Sequence, residues 1–110
     1  MFPGGLDVGK MQKYVKDMQK KLQQLEQELK ERIVEGSAAG GMVKVKVNGL
    51  EEVVTLEIEE EVFKGGDKTM LQDLVMVAVN DGVKKAKKLR ETEYAKITGM
   101  NMSGLSGLLS

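Results

Sequence analysis

The sequence predicts an α+β fold in which a long N-terminal helix is followed by a short antiparallel sheet and a long C-terminal helix. Three observations support this class. Apolar residues recur at heptad spacing near the N-terminus, valines alternate with polar residues on both sides of an Asn48-Gly49 pair, and a long segment after Asp67 is first apolar and then basic. A chain of 110 residues has room for one such domain.

The first helix is predicted over residues 10–30, because its apolar side chains recur at alternating spacings of four and three. These positions, called the heptad stripe below, are Met11, Val15, Met18, Leu22, Leu25 and Leu29. A helix of about 20 residues is about 30 Å long, too long for a domain this small to cover. The helix is therefore expected to project, or to bury the stripe in a coiled coil or against a partner subunit.

Two strands are predicted over residues 42–47 and 53–59, where valines and other apolar residues alternate with polar ones. Asn48-Gly49 between them is a strong hairpin signal, because both residues accept the positive φ of a tight turn at little steric cost. Ile33, just before a glycine-rich turn, is expected to lie in a third strand that pairs across that turn with the strand that follows it.

The second long helix is predicted to begin after an N-cap at Asp67 and to continue to about Ile97. Residues 71–79 are apolar on nearly all sides, which predicts packing between the sheet and a second surface. The acidic run before this helix is expected to be a solvated strand end rather than a pair of catalytic carboxylates or a cation site, and residues 64–66 are expected to be a loop. The run consists of Glu57, Glu59, Glu60 and Glu61.

The composition excludes most enzymatic chemistry. The chain has no Cys and no His, so it has no thiol nucleophile, zinc–thiolate site or imidazole base. It also lacks a signal-peptide pattern and an apolar run long enough for a membrane span. We expect a cytoplasmic protein that is not an enzyme, with no cofactor, no metal ion, no small-molecule substrate and no membrane partner. We expect one domain over residues 10–97, with a flexible N-terminus (1–9) and a flexible C-terminal tail (98–110).

The charge is zero overall but is concentrated in segments. Residues 10–21 carry five lysines against one aspartate, and residues 84–90 carry five cations and no acid. Both segments are candidates for contact with the phosphates of double-stranded DNA. The candidate DNA-binding residues are Lys10, Lys13, Lys16, Lys20, Lys84, Lys85, Lys87, Lys88 and Arg90. The alternatives are solvated helix faces and, for the second cluster, cations that stabilise a helix C-terminus.

On the first helix, the lysines are expected to lie on one face, opposite the heptad stripe. This face contains Lys13, Lys16 and Lys20, at a spacing suited to the phosphate backbone.

Two segments are specific enough to indicate a family. The stretch GGMVKVKVNG and the pattern D-L-V-x-x-A-x-N-D over residues 73–81 resemble the YbaB/EbfC family of nucleoid-associated DNA-binding proteins, and the resemblance extends over nearly the whole chain. It departs from that family at residues 59–61, where members usually have an Asp-Pro turn.

The resemblance implies an intertwined homodimer with a three-stranded antiparallel sheet, whose helices project like tweezers and contact DNA. The dimer core is expected to contain Leu71, Leu74, Val75 and Ala78. The implied function is organisation of the nucleoid and modulation of gene expression, with the protein located in the cytoplasm on the nucleoid. The alternative is an adaptor that holds a partner protein between its projecting helices and does not bind DNA directly.

Overall fold

A computed structural model describes residues 7–99 of the protein. The elements, in order, are α1 (Val8–Glu31), β1 (Ile33–Ala38), β2 (Val43–Asn48), β3 (Val53–Ile58), α2 (Glu60–Lys64) and α3 (Lys68–Thr98). The predicted α+β class, including the third strand, is confirmed. The flexible ends predicted over residues 1–9 and 98–110 lie largely outside the described residues, although α1 already begins at Val8 and α3 reaches Thr98.

The two long helices begin at aspartate caps. The Asp7 carboxylate accepts a hydrogen bond from the Gly9 backbone N–H at 2.9 Å, and the Asp67 carboxylate accepts one from the Met70 N–H at 3.0 Å. Each bond satisfies a donor that the first turn of a helix leaves without a partner. The cap predicted at Asp67 is therefore confirmed. At the other end of α3, Gly99 takes a left-handed conformation with φ of 70° and ends the helix.

The sheet is antiparallel, with the strands in the order β1-β2-β3. Val43, Val45 and Val47 of β2 point to one face and are fully buried. That face is covered by α3, which packs mainly on β1 and β2. Alternation with a period of two thus places the apolar side chains of the central strand under the helix and leaves Lys44 and Lys46 in solvent.

The β2–β3 hairpin is present, but the reason predicted for its glycine is wrong. The residue with a left-handed backbone in this connection is Glu51, with φ of 66°, and Gly49 has no positive φ. Gly49 is needed for close approach instead, because a Cβ there would lie 2.7 Å from the carbonyl oxygen of Leu29. The Gly49 N–H donates to that same oxygen at 2.7 Å, so the hairpin is joined directly to the C-terminus of α1.

A second glycine contact joins α3 to the sheet. A Cβ at Gly82 would lie 2.7 Å from a methyl carbon of Val47 and 2.9 Å from one of Val45. Ala78 and Ala86, on the same side of the helix, are fully buried. These small residues let the α3 backbone lie directly on the strands, so the position of α3 is set by close packing.

The acidic segment before α3 differs from its prediction. Residues 60–64 form the one-turn helix α2, so Glu60 and Glu61 are not part of a strand end, whereas Gly65 and Gly66 lie outside any helix or strand, as the predicted loop requires. Val62 is buried and fixes this turn to the domain, whereas Phe63 remains 69% exposed. Glu60 and Glu61 lie in the first turn, where the helix N-terminus favours acidic side chains, a local preference that the prediction overlooked.

Candidate nucleic-acid interface

The heptad stripe of α1 changes from buried to exposed along its length. Leu25 and Leu29 are buried, whereas Met11 is 48% and Val15 51% exposed. The N-terminal part of α1, residues 8–20 and called the arm below, therefore extends away from the domain. The overall dimensions of 72 × 30 × 17 Å agree with an elongated molecule. Within residues 7–99, the fully buried positions of the stripe are thus Leu25 and Leu29, at its C-terminal end.

The arm carries four of the candidate DNA-binding residues. Lys10, Lys13, Lys16 and Lys20 are all exposed. None of the four forms an ion pair with another residue of the described range 7–99. Lys16 lines one shallow concavity together with Met11 and Val15. Lys13 and Lys20 lie about opposite the stripe by helical geometry.

The basic segment of α3 contains two kinds of cation. Lys84, Lys87 and Lys88 are exposed, and within residues 7–99 they make no ion pair. Lys85 and Arg90, in contrast, have partners in their own chain. The sequence treats these five cations as one cluster, and the structure separates them into three that face solvent and two that join elements of the fold.

Lys85 covers the outer edge of the sheet. Its Nζ donates to the Asp81 carboxylate at 3.1 Å and to the backbone carbonyl of Glu35, in β1, at 3.1 Å. The same Asp81 oxygen accepts the Ser37 N–H at 3.0 Å. The Ser37 N–H, and secondly Lys85, lower the pKa of Asp81 below its ordinary value of 3.8. Asp81 and Lys85 together occupy backbone groups that an edge strand would otherwise expose.

Arg90 joins α3 to two other elements. Its guanidinium lies 3.3 Å from the Glu26 carboxylate of α1 and 3.9 Å from the Glu51 carboxylate of the hairpin. It also lies over the Tyr94 ring, 5.5 Å from the centroid, and the Tyr94 hydroxyl donates to Glu26 at 3.2 Å. Tyr94, and after it the two carboxylates, raise the pKa of Arg90, so its charge is maintained.

A second ion pair supports the same helix contact. Arg32, immediately after α1, lies 3.1 Å from Glu93 of α3, which also pairs with Lys96 at 3.0 Å. Lys96, and then Arg32, lower the pKa of Glu93. Ion pairs and a hydrogen bond thus join α1, and the residue that follows it, to α3.

The predicted dimer-core residues lie on α3 above the sheet. Ala78 is fully buried by its own chain, whereas Leu71, Leu74 and Val75 are half-buried. Met76 and Val77, which are not among the predicted core residues, are both 55% exposed on the same helix. The signal was present, because a segment that is apolar on nearly all sides must have apolar residues on the side that faces away from the sheet.

A further apolar surface lies on β3. Leu56 pairs with Val45 and points to the same face of the sheet, yet Leu56 is 46% exposed whereas Val45 is fully buried. The difference arises because α3 lies over β1 and β2 and barely touches β3. The single chain thus leaves part of its sheet uncovered.

Two further features are absent from the described part of the chain. Among residues 7–99, no three side chains of His, Cys, Asp and Glu come together as a metal-binding group. No helix in the same range is long and apolar enough to cross a lipid bilayer.

This geometry defines a class of protein, an α+β domain that presents rows of lysines on two long helices. The chain belongs to the YbaB/EbfC DNA-binding family, whose family model matches residues 4–101.

Individual relatives agree with this assignment. The chain is 42% identical over 106 residues to nucleoid-associated protein DP1429 of Desulfotalea psychrophila, covering 96% of this chain and 100% of that protein. It is 52% identical over 79 residues to a nucleoid-associated protein of Bacillus licheniformis, covering 71% and 74%. The fold matches the crystal structure of the uncharacterized protein HP0035 from Helicobacter pylori with a TM-score of 0.76 at 32% identity, covering 84% of this chain and 98% of that one.

Proposed function

We propose that this protein binds double-stranded DNA as a homodimer and helps to organise the nucleoid and modulate gene expression. The observation that carries the proposal is that seven of the nine candidate residues are exposed lysines of the two long helices and form no ion pair within residues 7–99. They are Lys10, Lys13, Lys16, Lys20, Lys84, Lys87 and Lys88. Family membership and the names of the relatives also support DNA binding and a role at the nucleoid.

Binding of this kind depends mainly on the phosphate backbone. Each lysine that neutralises a phosphate releases a condensed counterion, so affinity falls as salt rises. Contacts between lysines and phosphates also do not discriminate between base sequences. Gln12 and Gln19, exposed beside the arm lysines, supply amide groups that allow a modest preference among bases.

The homodimer rests on the apolar surfaces that one chain leaves uncovered. Leu56 of β3 and Met76 and Val77 of α3 are about half exposed in the single chain. Met76 and Val77 follow the predicted core positions Leu71, Leu74 and Val75 along α3. A second copy that covers these surfaces would remove them from water, which is the main driving force for a stable interface. Ala78 is already enclosed by its own subunit, so its contribution is to the packing of each subunit.

The test is fluorescence anisotropy of a labelled duplex across a salt titration from about 50 to about 200 mM. The variant Lys84→Gln/Lys88→Gln should bind more weakly and should show a shallower dependence of log affinity on log salt, by about 0.9 for each phosphate that is no longer neutralised. The matched control is Lys44→Gln/Lys46→Gln, which removes the same charge from exposed positions of β2.

Equal losses of affinity in the two variants would mean that net charge alone is responsible and would contradict the assigned surface. Absence of binding by the unaltered protein at the lowest salt would reject the DNA function and favour the adaptor alternative. Sedimentation in the same buffer tests the homodimer separately: a monomer at micromolar concentration contradicts it.

A further inference from the structure

The arm has an apolar surface that residues 7–99 leave exposed. Met11 and Val15 of the heptad stripe are 48% and 51% exposed, and Val8, which continues the stripe by one position, is 63% exposed. Tyr14, beside them, is 66% exposed. A contiguous group of exposed apolar side chains on a soluble domain is typical of a surface that binds another protein.

The side chains that border this surface on the arm are uncharged. The stripe occupies the a and d positions of a heptad, so Tyr14 occupies a flanking g position and Gln12 and Gln19 occupy flanking e positions. By the same geometry the four arm lysines occupy b, c and f positions, further from the stripe. A second helix can therefore pack on the stripe without bringing the arm lysines of the two helices face to face.

The rest of the stripe determines which orientation of a second arm is possible. A parallel, in-register pair would continue toward Leu25 and Leu29, which are already buried in their own chain, and would bring two folded domains to the same end. An antiparallel pair places the domains at opposite ends and uses only the exposed part of the stripe. In that pair Val8 lies opposite the partner's Met18, and Met11 lies opposite the partner's Val15.

Charges at the two ends of the arm complement each other in this antiparallel pair. The g positions of the two helices then face each other, so Asp7 lies beside the partner's Lys21 at each end, and the two Tyr14 side chains meet at the centre. Asp7 and Lys21 are exposed and form no ion pair within residues 7–99. One oxygen of Asp7 accepts the Gly9 N–H, which leaves the other oxygen for a lysine of a second copy.

We propose that the arm binds the arm of a second copy of this chain as a short antiparallel coiled coil over residues 8–18. The surfaces proposed above for the homodimer are on β3 and α3, so the arms would join one homodimer to another. That link rests on the proposed homodimer, whereas the contact between arms does not. A coiled coil this short is weak by itself and is expected to form where the local concentration of the protein is high.

Disulfide cross-linking tests the contact directly, because the chain has no native Cys. In Val8→Cys/Met18→Cys the two positions are about 15 Å apart along one helix, too far for a disulfide within the chain. Antiparallel pairing places each cysteine opposite its counterpart in the second arm. Under mild oxidation, a non-reducing denaturing gel is expected to show a dimer-sized product that forms about tenfold faster than in Val8→Cys or Met18→Cys alone.

The matched control is Lys10→Cys/Lys20→Cys, which has the same spacing and lies away from the stripe. It should form the dimer-sized product as slowly as the single-cysteine variants. Equal rates for the stripe variant and this control would mean that the product comes from random collisions and would overturn the proposal. A fast product from Val8→Cys alone would also overturn it, because two Val8 positions meet only when the arms are parallel.

Charge reversal in the Val8→Cys/Met18→Cys chain gives a second measurement. Lys21→Glu puts a carboxylate beside the partner's Asp7 and should slow cross-linking by about threefold or more at low salt. Lys20→Glu makes the same change of charge one position earlier, on the side opposite the stripe, and should not slow it. Equal effects of the two substitutions would contradict the Asp7–Lys21 contact and the antiparallel register.

Both measurements separate this contact from the proposed function. They are made without DNA, so their outcome does not depend on DNA binding. The denaturing gel also dissociates a homodimer held by non-covalent contacts of β3 and α3, so only a disulfide between arms gives the dimer-sized product.

Discussion

The two basic segments resemble each other in sequence and differ in what the fold does with them. On the arm, all four candidate lysines are exposed and form no ion pair within residues 7–99. On α3, Lys85 and Arg90 are bound to distant parts of the chain, and only their neighbours face solvent without an ion pair. A dense run of cations therefore contains two kinds of side chain, paired and exposed, which mutation can separate.

The largest expected effect concerns the surface that holds α3 in place. Gly82→Val would put a branched side chain against Val45 and Val47, where even a Cβ lies within 3 Å of their methyl groups. We expect a loss of roughly 3 kcal/mol or more in the free energy of unfolding, or failure to fold. Urea denaturation of the variant and the unaltered protein measures this loss of stability.

Gly9→Ala in the arm is the control, because its Cβ would meet only its own cap residue Asp7 at 3.3 Å. Comparable destabilisation by the two substitutions would show that close packing does not distinguish α3 from the arm.

Arg90 is expected to matter for stability more than for DNA. Arg90→Ala removes its interactions with Glu26, Glu51 and Tyr94 and should lower the free energy of unfolding by about 1 kcal/mol, since the pairs are partly exposed. Lys87→Ala, about one turn earlier, should leave stability unchanged within about 0.5 kcal/mol and weaken DNA binding. If Arg90→Ala weakened DNA binding as much as Lys87→Ala while stability stayed constant, the structural assignment of Arg90 would be wrong.

Lys84 and Lys85 provide a sharper version of the same comparison, because they are adjacent. Lys85→Ala should cost about 0.5–1 kcal/mol of stability, as its bonds to Asp81 and the Glu35 carbonyl are solvent-exposed. Lys84→Ala should change stability little and should weaken binding to duplex DNA. The two variants are compared by urea denaturation and by fluorescence anisotropy. If Lys84→Ala lowered stability and Lys85→Ala weakened DNA binding instead, the assignment of Lys84 to binding and Lys85 to stability would be wrong.

The smallest expected effect is on pH dependence. The pKa of Asp81 is lowered in the folded protein, so its contribution to stability is complete above its ordinary value of 3.8 and is lost as the pH falls through the lower folded value. Thermal unfolding between about pH 5 and about pH 2 should therefore show a smaller acid destabilisation for Asp81→Asn than for the unaltered protein. Identical acid profiles for the two proteins would contradict a role for Asp81 at the sheet edge.

The features predicted correctly from the sequence are those that depend on residues close together in the chain. The heptad spacing predicted α1, the alternating valines predicted β2, and Asp67 was recognised as a cap because capping depends on residues within one turn. Sequence reasoning failed at α2, a single turn that depends on burial of Val62, and at Gly49, whose role is contact with Leu29 of another element.

The sequence by itself determined the order of the long helices and strands, the Asp67 cap, the basic segments and the family, because each of these follows from neighbouring residues or from a continuous pattern. Only the tertiary structure decided which cations remain exposed without an ion pair. The reason is separation along the chain: Lys85 meets a carbonyl 50 positions away and Arg90 a carboxylate 64 positions away, and such pairs exist only after α3 has packed on the sheet and on α1.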